Sequence, residues 1–390
     1  MNDKPHHFLI VAGEESGDLH GSSLVRSLKE IYPASQFSGM GGNKMRAEGV
    51  DTFFDIDKMG AVGLIEVIGE IPHHLKVYRK LATEISSGKY DSVVLIDYPT
   101  LNMRLAKQAA RVSLPVFFFI SPQIWAWRKG RIKDIKKCVT KMFVVLPFEE
   151  AMYLQEGVDA EFLGHPFSDQ VRPTMLREEA FKEWGLRPEL KTIGLLPGSR
   201  KKEVESLLGC MVQAAEQIKR QLPDCQFILP IADSIDPDSI RQQLGSNPLH
   251  IRTVMGKSHE VMNCADFLII ASGSATLEAG ILGCPMVIVY KLNPITYWIA
   301  QRLVKTPFIG LVNIVAGEAV VPELLQDEVT PENISCAALK VLQDPAIHQN
   351  VASRLLKIRE TLGEPGVMRR VAESMAKTLQ LKPGHETISH

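Results

Sequence analysis

Short apolar runs alternate with segments of helical period along almost the whole chain, the signature of βαβ units and a mostly parallel sheet. In the first half the pattern predicts strands at 7–12, 35–38, 92–97, 115–120, 141–145 and 160–163, with helices at 18–31, 43–48, 62–87, 100–112, 129–136 and 148–156. Gly164-His165-Pro166-Phe167-Ser168-Asp169, followed by Pro173, breaks the rhythm and reads as an interdomain connection. The alternation then restarts. Strands are expected at 192–196, 225–229, 249–253, 266–270 and 285–290, with a weaker one at 308–311. Helices are expected at 201–221, 236–244, 257–263, 274–281, 294–304, 330–343 and 346–379, the last running into a polar segment that frays from Lys382. The fold class is α/β, with Rossmann-like domains at 1–170 and 171–345 and a helical tail at 346–390.

In two places an apolar strand runs straight into a turn of small and polar residues that opens a helix. One is Phe8-Leu9-Ile10-Val11-Ala12-Gly13-Glu14-Glu15-Ser16-Gly17-Asp18; the other is Thr192-Ile193-Gly194-Leu195-Leu196-Pro197-Gly198-Ser199-Arg200. Such turns aim backbone N–H groups and the positive end of a helix dipole above the sheet, where a phosphate or polar sugar fits. The first turn lacks the G-x-G-x-x-G spacing and the acidic residue that would follow a second strand, which disfavours a nicotinamide cofactor. It is open to two readings, a turn with Asp18 as helix cap, or a ligand turn in which Gly13 and Gly17 allow close approach and Ser16 donates.

A length of 390 residues suits two large domains, and 45% apolar content, 23% charged content and a net charge of −1 describe an ordinary globular chain rather than a general nucleic-acid binder. Cys138, Cys210, Cys225, Cys264, Cys284 and Cys336 are scattered without zinc spacing and read as reduced thiols of a cytoplasmic protein. The N-terminus has no signal-peptide form, and no apolar segment approaches the ~20 residues that span a bilayer, so any membrane contact is expected to be peripheral.

Three further features carry chemistry. Val93-Val94-Leu95-Ile96-Asp97-Tyr98-Pro99 sets a carboxylate at the end of a central strand, either as a helix cap or as a general base oriented by Asn102. Arg200 stands at a helix start, a poor place for a cation unless an anion is near, which points to a phosphate clamp; Lys201 and Lys202 read as solvated. Ser272-Gly273-Ser274-Ala275-Thr276-Leu277-Glu278 follows another buried strand. Its hydroxyls and N–H groups suit a diphosphate and Glu278 suits ribose hydroxyls, although a serine-capped helix with an exposed Glu is the plainer reading. No D-x-D pair ends a strand, so metal independence is expected.

Two segments suit a greasy, anionic partner. Val62, Leu64, Ile68, Ile71, Leu75 and Tyr78 give more apolar surface than one narrow helix face requires, as core or as membrane contact. Trp125, Trp127 and Arg128 open a run to Lys137 that holds six cations against one carboxylate, as a solvated face or a headgroup interface.

These motifs, in this order, resemble the lipid A disaccharide synthases, inverting glycosyltransferases of the GT-B architecture. The matches are A-G-E-x-S-G-D at 12–18, I-D-x-P-x-x-N at 96–102, S-P-x-x-W-A-W-R at 121–128, G-H-P at 164–166, L-P-G-S-R at 196–200, S-G-S-x-T-x-E at 272–278 and the segment from Tyr290 to Asn313. The resemblance implies two Rossmann-like domains facing across a cleft, the first on the acceptor and lipid side and the second holding the UDP-sugar. It implies UDP-2,3-diacylglucosamine as donor, 2,3-diacylglucosamine 1-phosphate as acceptor, a β-1,6 disaccharide 1-phosphate and UDP as products, and no cofactor. Asp97 is then the base, with Arg200 and Asn313 beside it as catalytic candidates. Glu14, Ser16, Gly17, Asn102, Arg200, Ser272, Gly273, Ser274, Thr276, Glu278 and Tyr290 are substrate-binding candidates. A homodimer with exchanged C-terminal segments at the inner membrane is also implied. Val312 stands where many relatives have proline, which loosens the assignment of Asn313. The competing readings are another UDP-sugar enzyme of this architecture, such as a UDP-N-acetylglucosamine epimerase or an N-acetylglucosaminyl transferase, and a membrane-associated nucleotide-sugar binder without turnover.

Overall fold

The computed structural model of the protein describes residues 5–56, 67–127, 129–245, 248–293, 297 and 306–380; the side chains of 67–73, 126, 127 and 129 also lie outside that description. The chain divides into unit 1, Met1–Ser168 with Leu362–His390, and unit 2, Asp169–Thr361.

Unit 1 is built on β1 (His7–Ala12), β2 (Gln36–Gly41), β3 (Asp51–Asp55), β4 (Ser92–Ile96), β5 (Val116–Phe119), β6 (Lys141–Val144) and β7 (Ala160–Phe162). They form one parallel seven-stranded sheet in the order β3-β2-β1-β4-β5-β6-β7. Its central strands β1, β4 and β5 are apolar at nearly every position because both faces are covered by helices. Strand alternation divides them cleanly. Leu9, Val11, Val93, Leu95, Val116 and Phe118 enter one core, while Phe8, Ile10, Val94, Ile96, Phe117 and Phe119 enter the other. The interleaved helices are α1 (Glu15–Ile31), α2 (Asn43–Ala47), α3 (Val67–Ile85), α4 (Pro99–Arg111), α5 (Ile124–Trp127), α6 (Ile132–Cys138), α7 (Pro147–Gln155) and, at the unit boundary, α8 (Phe167–Gln170).

Unit 2 repeats the design. Its elements are α9 (Arg177–Trp184), β8 (Lys191–Leu196), α10 (Lys201–Gln221), β9 (Cys225–Ile231), α11 (Pro237–Leu244), β10 (Arg252–Met255), α12 (Ser258–Cys264), β11 (Phe267–Ala271), α13 (Ser274–Ile281), β12 (Met286–Tyr290), α14 (Leu311–Ala316), β13 (Glu323–Leu325), α15 (Pro331–Leu342) and α16 (Pro345–Thr361). The sheet is parallel and six-stranded, in the order β10-β9-β8-β11-β12-β13. In each sheet the chain reverses its direction of winding after the third strand, at the β1/β4 and β8/β11 pairs. Open α/β sheets bind ligands beyond the strand ends at such a switch point.

Several expectations are corrected. Asp51–Asp55 is an edge strand that the sequence reading missed, because acids flank its half-buried phenylalanines. Residues 308–311 are not a strand; the sixth strand of unit 2 is the short Glu323–Leu325 behind Pro322. The tail at 346–390 is not one extension. Gly363 at φ +80°, Pro365 and Gly366 at φ +91° break it, leaving α16 in unit 2 and sending α17 (Val367–Gln380) back to unit 1. There Val367, Val371, Ala372 and Met375 are buried in the core that holds Phe8 and Ile10. The helix expected at 294–304 falls almost wholly outside the described residues. The two units divide between Ser168 and Asp169.

Candidate functional sites

In unit 2 the ends of β8 and β11 enclose a cavity of about 350 Å³ lined by Gly198, Ser199, Glu203, Asp233, Ser258, the 271–275 loop and Glu278. Gly198 sits at φ +111°, where a Cβ would meet the Glu203 carboxylate at 2.5 Å, so only glycine fits this turn. Ser234 Oγ ties the turn by donating to the Ser199 carbonyl at 2.6 Å. Gly273, which precedes α13, and its first residues Ser274 and Ala275 line the cavity at the helix start, where backbone N–H groups suit an anion. Glu278 accepts from Ser274 Oγ at 3.1 Å and pairs with His259 Nε2 at 2.9 Å.

Arg200 is 82% exposed, and its guanidinium donates to Glu203 at 3.1 Å. The anion that explains a cation at this helix start is therefore Glu203 in this structure, which weakens the sequence argument for phosphate. Tyr290, at the end of β12, feels both charges. Burial, then Glu203, raises its phenol above the ordinary range while Arg200 opposes them.

Other expected ligand groups are spent on the fold. Thr276 is fully buried and donates to the Gly273 carbonyl at 2.8 Å, and Ser272 Oγ donates to the Ile309 carbonyl at 3.2 Å. Asn313 is fully buried as well. Its amide donates to the Val321 carbonyl at 2.9 Å and to Glu323 at 2.8 Å, and its oxygen accepts from the Val320 and Val321 N–H groups at 2.9 and 3.1 Å. Every hydrogen-bonding position of Asn313 is filled, so the structure makes it a brace of the 310–323 segment rather than a group facing substrate. Val312 is the second residue of α14, where the N–H has no intrahelical partner, so a proline there and this valine are interchangeable for the backbone.

In unit 1 a cavity of about 240 Å³ opens at the ends of β4 and β5, lined by Asp97, Pro99, Ile120, Ser121, Pro122, Gln123, Ile124 and Arg131. Three non-glycine residues at this edge have left-handed backbones, Asp97 at φ +47°, Tyr98 at +44° and Ile120 at +66°. Each carries a steric cost, highest for the β-branched Ile120, and such costs gather where side chains are aimed for function. The turn after β1 accommodates them, since a Cβ on Gly13 would stand 2.5 Å from the Tyr98 ring. Burial, then the charge of Glu14, pushes the Asp97 carboxyl up to about 6, with the Tyr98 N–H pulling against them. Asn102 donates to the carbonyls of Ile96 and Asp97 at 3.1 and 2.7 Å, so it orients the backbone that carries Asp97.

The rest of the first turn divides. Glu14 and Ser16 are exposed, whereas Gly17 is buried, where a Cβ would meet that of Ala12 at 3.2 Å; its smallness serves helix-to-strand packing. Asp18 does not cap its own helix. It accepts from the N–H groups of Gly42, Lys44 and Met45 at 2.6, 2.9 and 3.1 Å and so caps α2.

Sequence reasoning missed Glu149. This buried carboxylate accepts from Ser121 Oγ at 2.7 Å, Trp125 Nε1 at 3.0 Å and the Leu146 N–H at 3.1 Å, while Tyr153 donates to the Pro122 carbonyl at 3.1 Å. Together they clamp the loop that lines the Asp97 cavity. The signal is a glutamate in the first turn of a helix, which local pattern reads as an ordinary acidic start. Trp125 is half-buried with its N–H turned inward, against the headgroup role expected for it. The Trp127 side chain and Arg128 lie outside the described residues, as do Val62, Leu64 and the side chains of Ile68 and Ile71. Leu75 is 40% exposed, whereas Tyr78 packs on the core.

A family model described as Lipid-A-disaccharide synthetase matches residues 8–377. The lipid-A-disaccharide synthase of Geobacter sulfurreducens is 43% identical over 367 residues, 94% of this chain and 96% of that one. The enzyme of the same name from Nitrosococcus oceani is 40% identical over 371 residues, covering 95% and 96%. Among solved structures, the UDP-GlcNAc 2-epimerase of Neisseria meningitidis bound to UDP-GlcNAc is similar with a TM-score of 0.65 at 13% identity, covering 95% of this chain and 100% of that one. The calicheamicin glycosyltransferase CalG4 gives 0.62 at 16% identity, covering 97% and 100%. At such identities these two structures speak for the fold alone. The sequence likeness, by contrast, is close and runs almost end to end: the chain belongs to the lipid-A-disaccharide synthase family of glycosyltransferases.

Proposed function

We propose that the protein joins UDP-2,3-diacylglucosamine to 2,3-diacylglucosamine 1-phosphate, giving the β-1,6 disaccharide 1-phosphate and UDP. The acceptor 6-hydroxyl loses its proton to Asp97 and attacks the donor's anomeric carbon with inversion, and the bond from that carbon to the diphosphate oxygen breaks. The charge that develops on UDP is met by the N–H groups opening α13 and by Arg200, which must exchange Glu203 for phosphate. Glu278 takes the ribose. Family membership supports the substrates, and the observation that carries the mechanism is Asp97, held in a left-handed turn at the sheet's switch point with its carboxyl raised to about 6.

Peripheral attachment to the inner membrane and a homodimer with exchanged C-terminal segments belong to the same reading. Exposed Leu75 favours the first; the second would hand over α17, whose apolar face is buried on unit 1. The test supplies UDP-diacylglucosamine with and without the acylated sugar phosphate and measures UDP. Release that needs the acceptor and persists in EDTA is expected. Release without acceptor would identify a hydrolase, no release an epimerase or a binder, and loss in EDTA reversed by Mg²⁺ would refute metal-free transfer.

A further inference from the structure

The His259–Glu278 pair is not explained by the chemistry above. Glu278 reaches the unit 2 cavity from the first turns of α13, and His259 stands in the first turn of the preceding helix, α12. Both oxygens of the Glu278 carboxylate are held, Oε2 by His259 Nε2 at 2.9 Å and Oε1 by Ser274 Oγ at 3.1 Å. A carboxylate offers about four acceptor positions, so one remains on each oxygen, a spacing that matches two vicinal hydroxyls. A free glutamate chain would have to be ordered when ligand binds, at ~0.5–1.5 kcal/mol for an immobilised side chain; a two-point hold removes that cost beforehand.

The surrounding charges leave His259 committed to this task. Glu260, its neighbour on α12, turns to the Thr174 N–H and hydroxyl at 3.1 and 2.6 Å, with Lys257 3.8 Å away. Asp233, in the loop that follows β9, lines the same cavity. The hydrogen bond to Glu278 raises the His259 pKa, burial opposes it, and the charges of Glu278 and Glu260 add to the rise.

We propose that His259 is a positioning residue of the nucleotide site, holding Glu278 in the geometry that receives the two ribose hydroxyls of a uridine diphosphate. The proposal rests on the nucleotide-sugar reading, and titration calorimetry separates the two. UDP and 2′,3′-dideoxy-UDP are each titrated into the full-length wild-type protein and into His259→Leu, His259→Asn and His259→Gln. The wild-type protein is expected to bind UDP and to lose affinity for the dideoxy nucleotide. His259→Leu and His259→Asn, the second too short to reach Glu278, should bind UDP about tenfold more weakly, the ~1.4 kcal/mol of one charge-assisted hydrogen bond. Their loss on removing the ribose hydroxyls should shrink accordingly. His259→Gln, long enough to donate, should recover most of the affinity. Unchanged UDP affinity in the Leu and Asn variants overturns the proposal. So does an equal loss for both nucleotides with the wild-type ribose preference intact, which would make the pair a tie between helices. Failure of wild-type protein to bind UDP would instead remove the nucleotide reading, and the proposal with it.

Discussion

Asp97 joins two costs that the fold has no reason to retain for its own sake, a left-handed backbone and a partly desolvated carboxylate beside Glu14. Because its folded-state pKa is raised above the unfolded value, the folded chain binds the extra proton between about pH 4 and 6. Its ionisation therefore lowers stability as pH rises through that window, and the loss is complete above it. Asp97→Asn removes the charge and suits a left-handed turn at least as well, so its melting temperature at pH 8 is expected to equal or exceed wild type while kcat/KM falls by a factor of ~10² or more. A folded variant with retained turnover would take Asp97 out of the mechanism. A base must be ionised to act, so kcat/KM should rise with pH through about 6. Glu14→Gln, which removes the like charge, should move that limb to lower pH; a limb that stays in place would assign the titration to another group. The chain itself pointed to Asp97 because strand ends are local. It could not reveal that Asn313 is already satisfied, or that Glu149 grips Ser121, since these side chains spend their bonds on groups that only folding brings close.

At the level of elements, legibility followed burial. The strands FLIVA and FLIIA were plain because both faces are covered and every position is apolar. The edge strand DTFFD and the three-residue ELL were not, since half-buried edges carry polar residues and show no clean period. Helix α17 was legible as a helix and not in its destination. Leu362 accepts from the His165 N–H at 2.8 Å, and a Cβ on Gly363 would meet Gly164 Cα at 3.1 Å, so the returning chain docks against the segment by which it left unit 1. The helix then buries Val371 and Met375 against the β1 face of that sheet. Met375→Ala should cost ~2–5 kcal/mol, the usual loss for a buried methionine, and should lower protease resistance of unit 1 before that of unit 2. Equal loss in both units, or none, would show that α17 contributes little to the core it lies on.

For the whole molecule the decisive property is the distribution of charge rather than its sum. The net charge is −1, yet the run from Arg128 to Lys137 has a single carboxylate, Asp134, and Lys107 of α4 already holds it at 2.7 Å. Lys133, Lys136 and Lys137 are exposed on α6, the helix that follows Arg131 of the Asp97 cavity. A cationic patch near the Asp97 cavity would draw the protein to an anionic bilayer, at ~1 kcal/mol per basic residue and within a Debye length of ~10 Å at 0.1 M salt. No described helix is long and apolar enough to cross a membrane. An attachment through surface charge is reversible. Sedimentation with vesicles containing anionic lipid should therefore fall steeply between 50 mM and 500 mM salt, and Lys133→Glu, Lys136→Glu and Lys137→Glu together should abolish the salt-sensitive part. Turnover on detergent-dispersed acceptor should be nearly unchanged in that triple variant, because none of the three lines the cavity. Binding that ignores both salt and the three charges would leave apolar contact, through Leu75 and its neighbours, as the sole means of attachment. Loss of turnover in detergent would place the patch at the substrate itself.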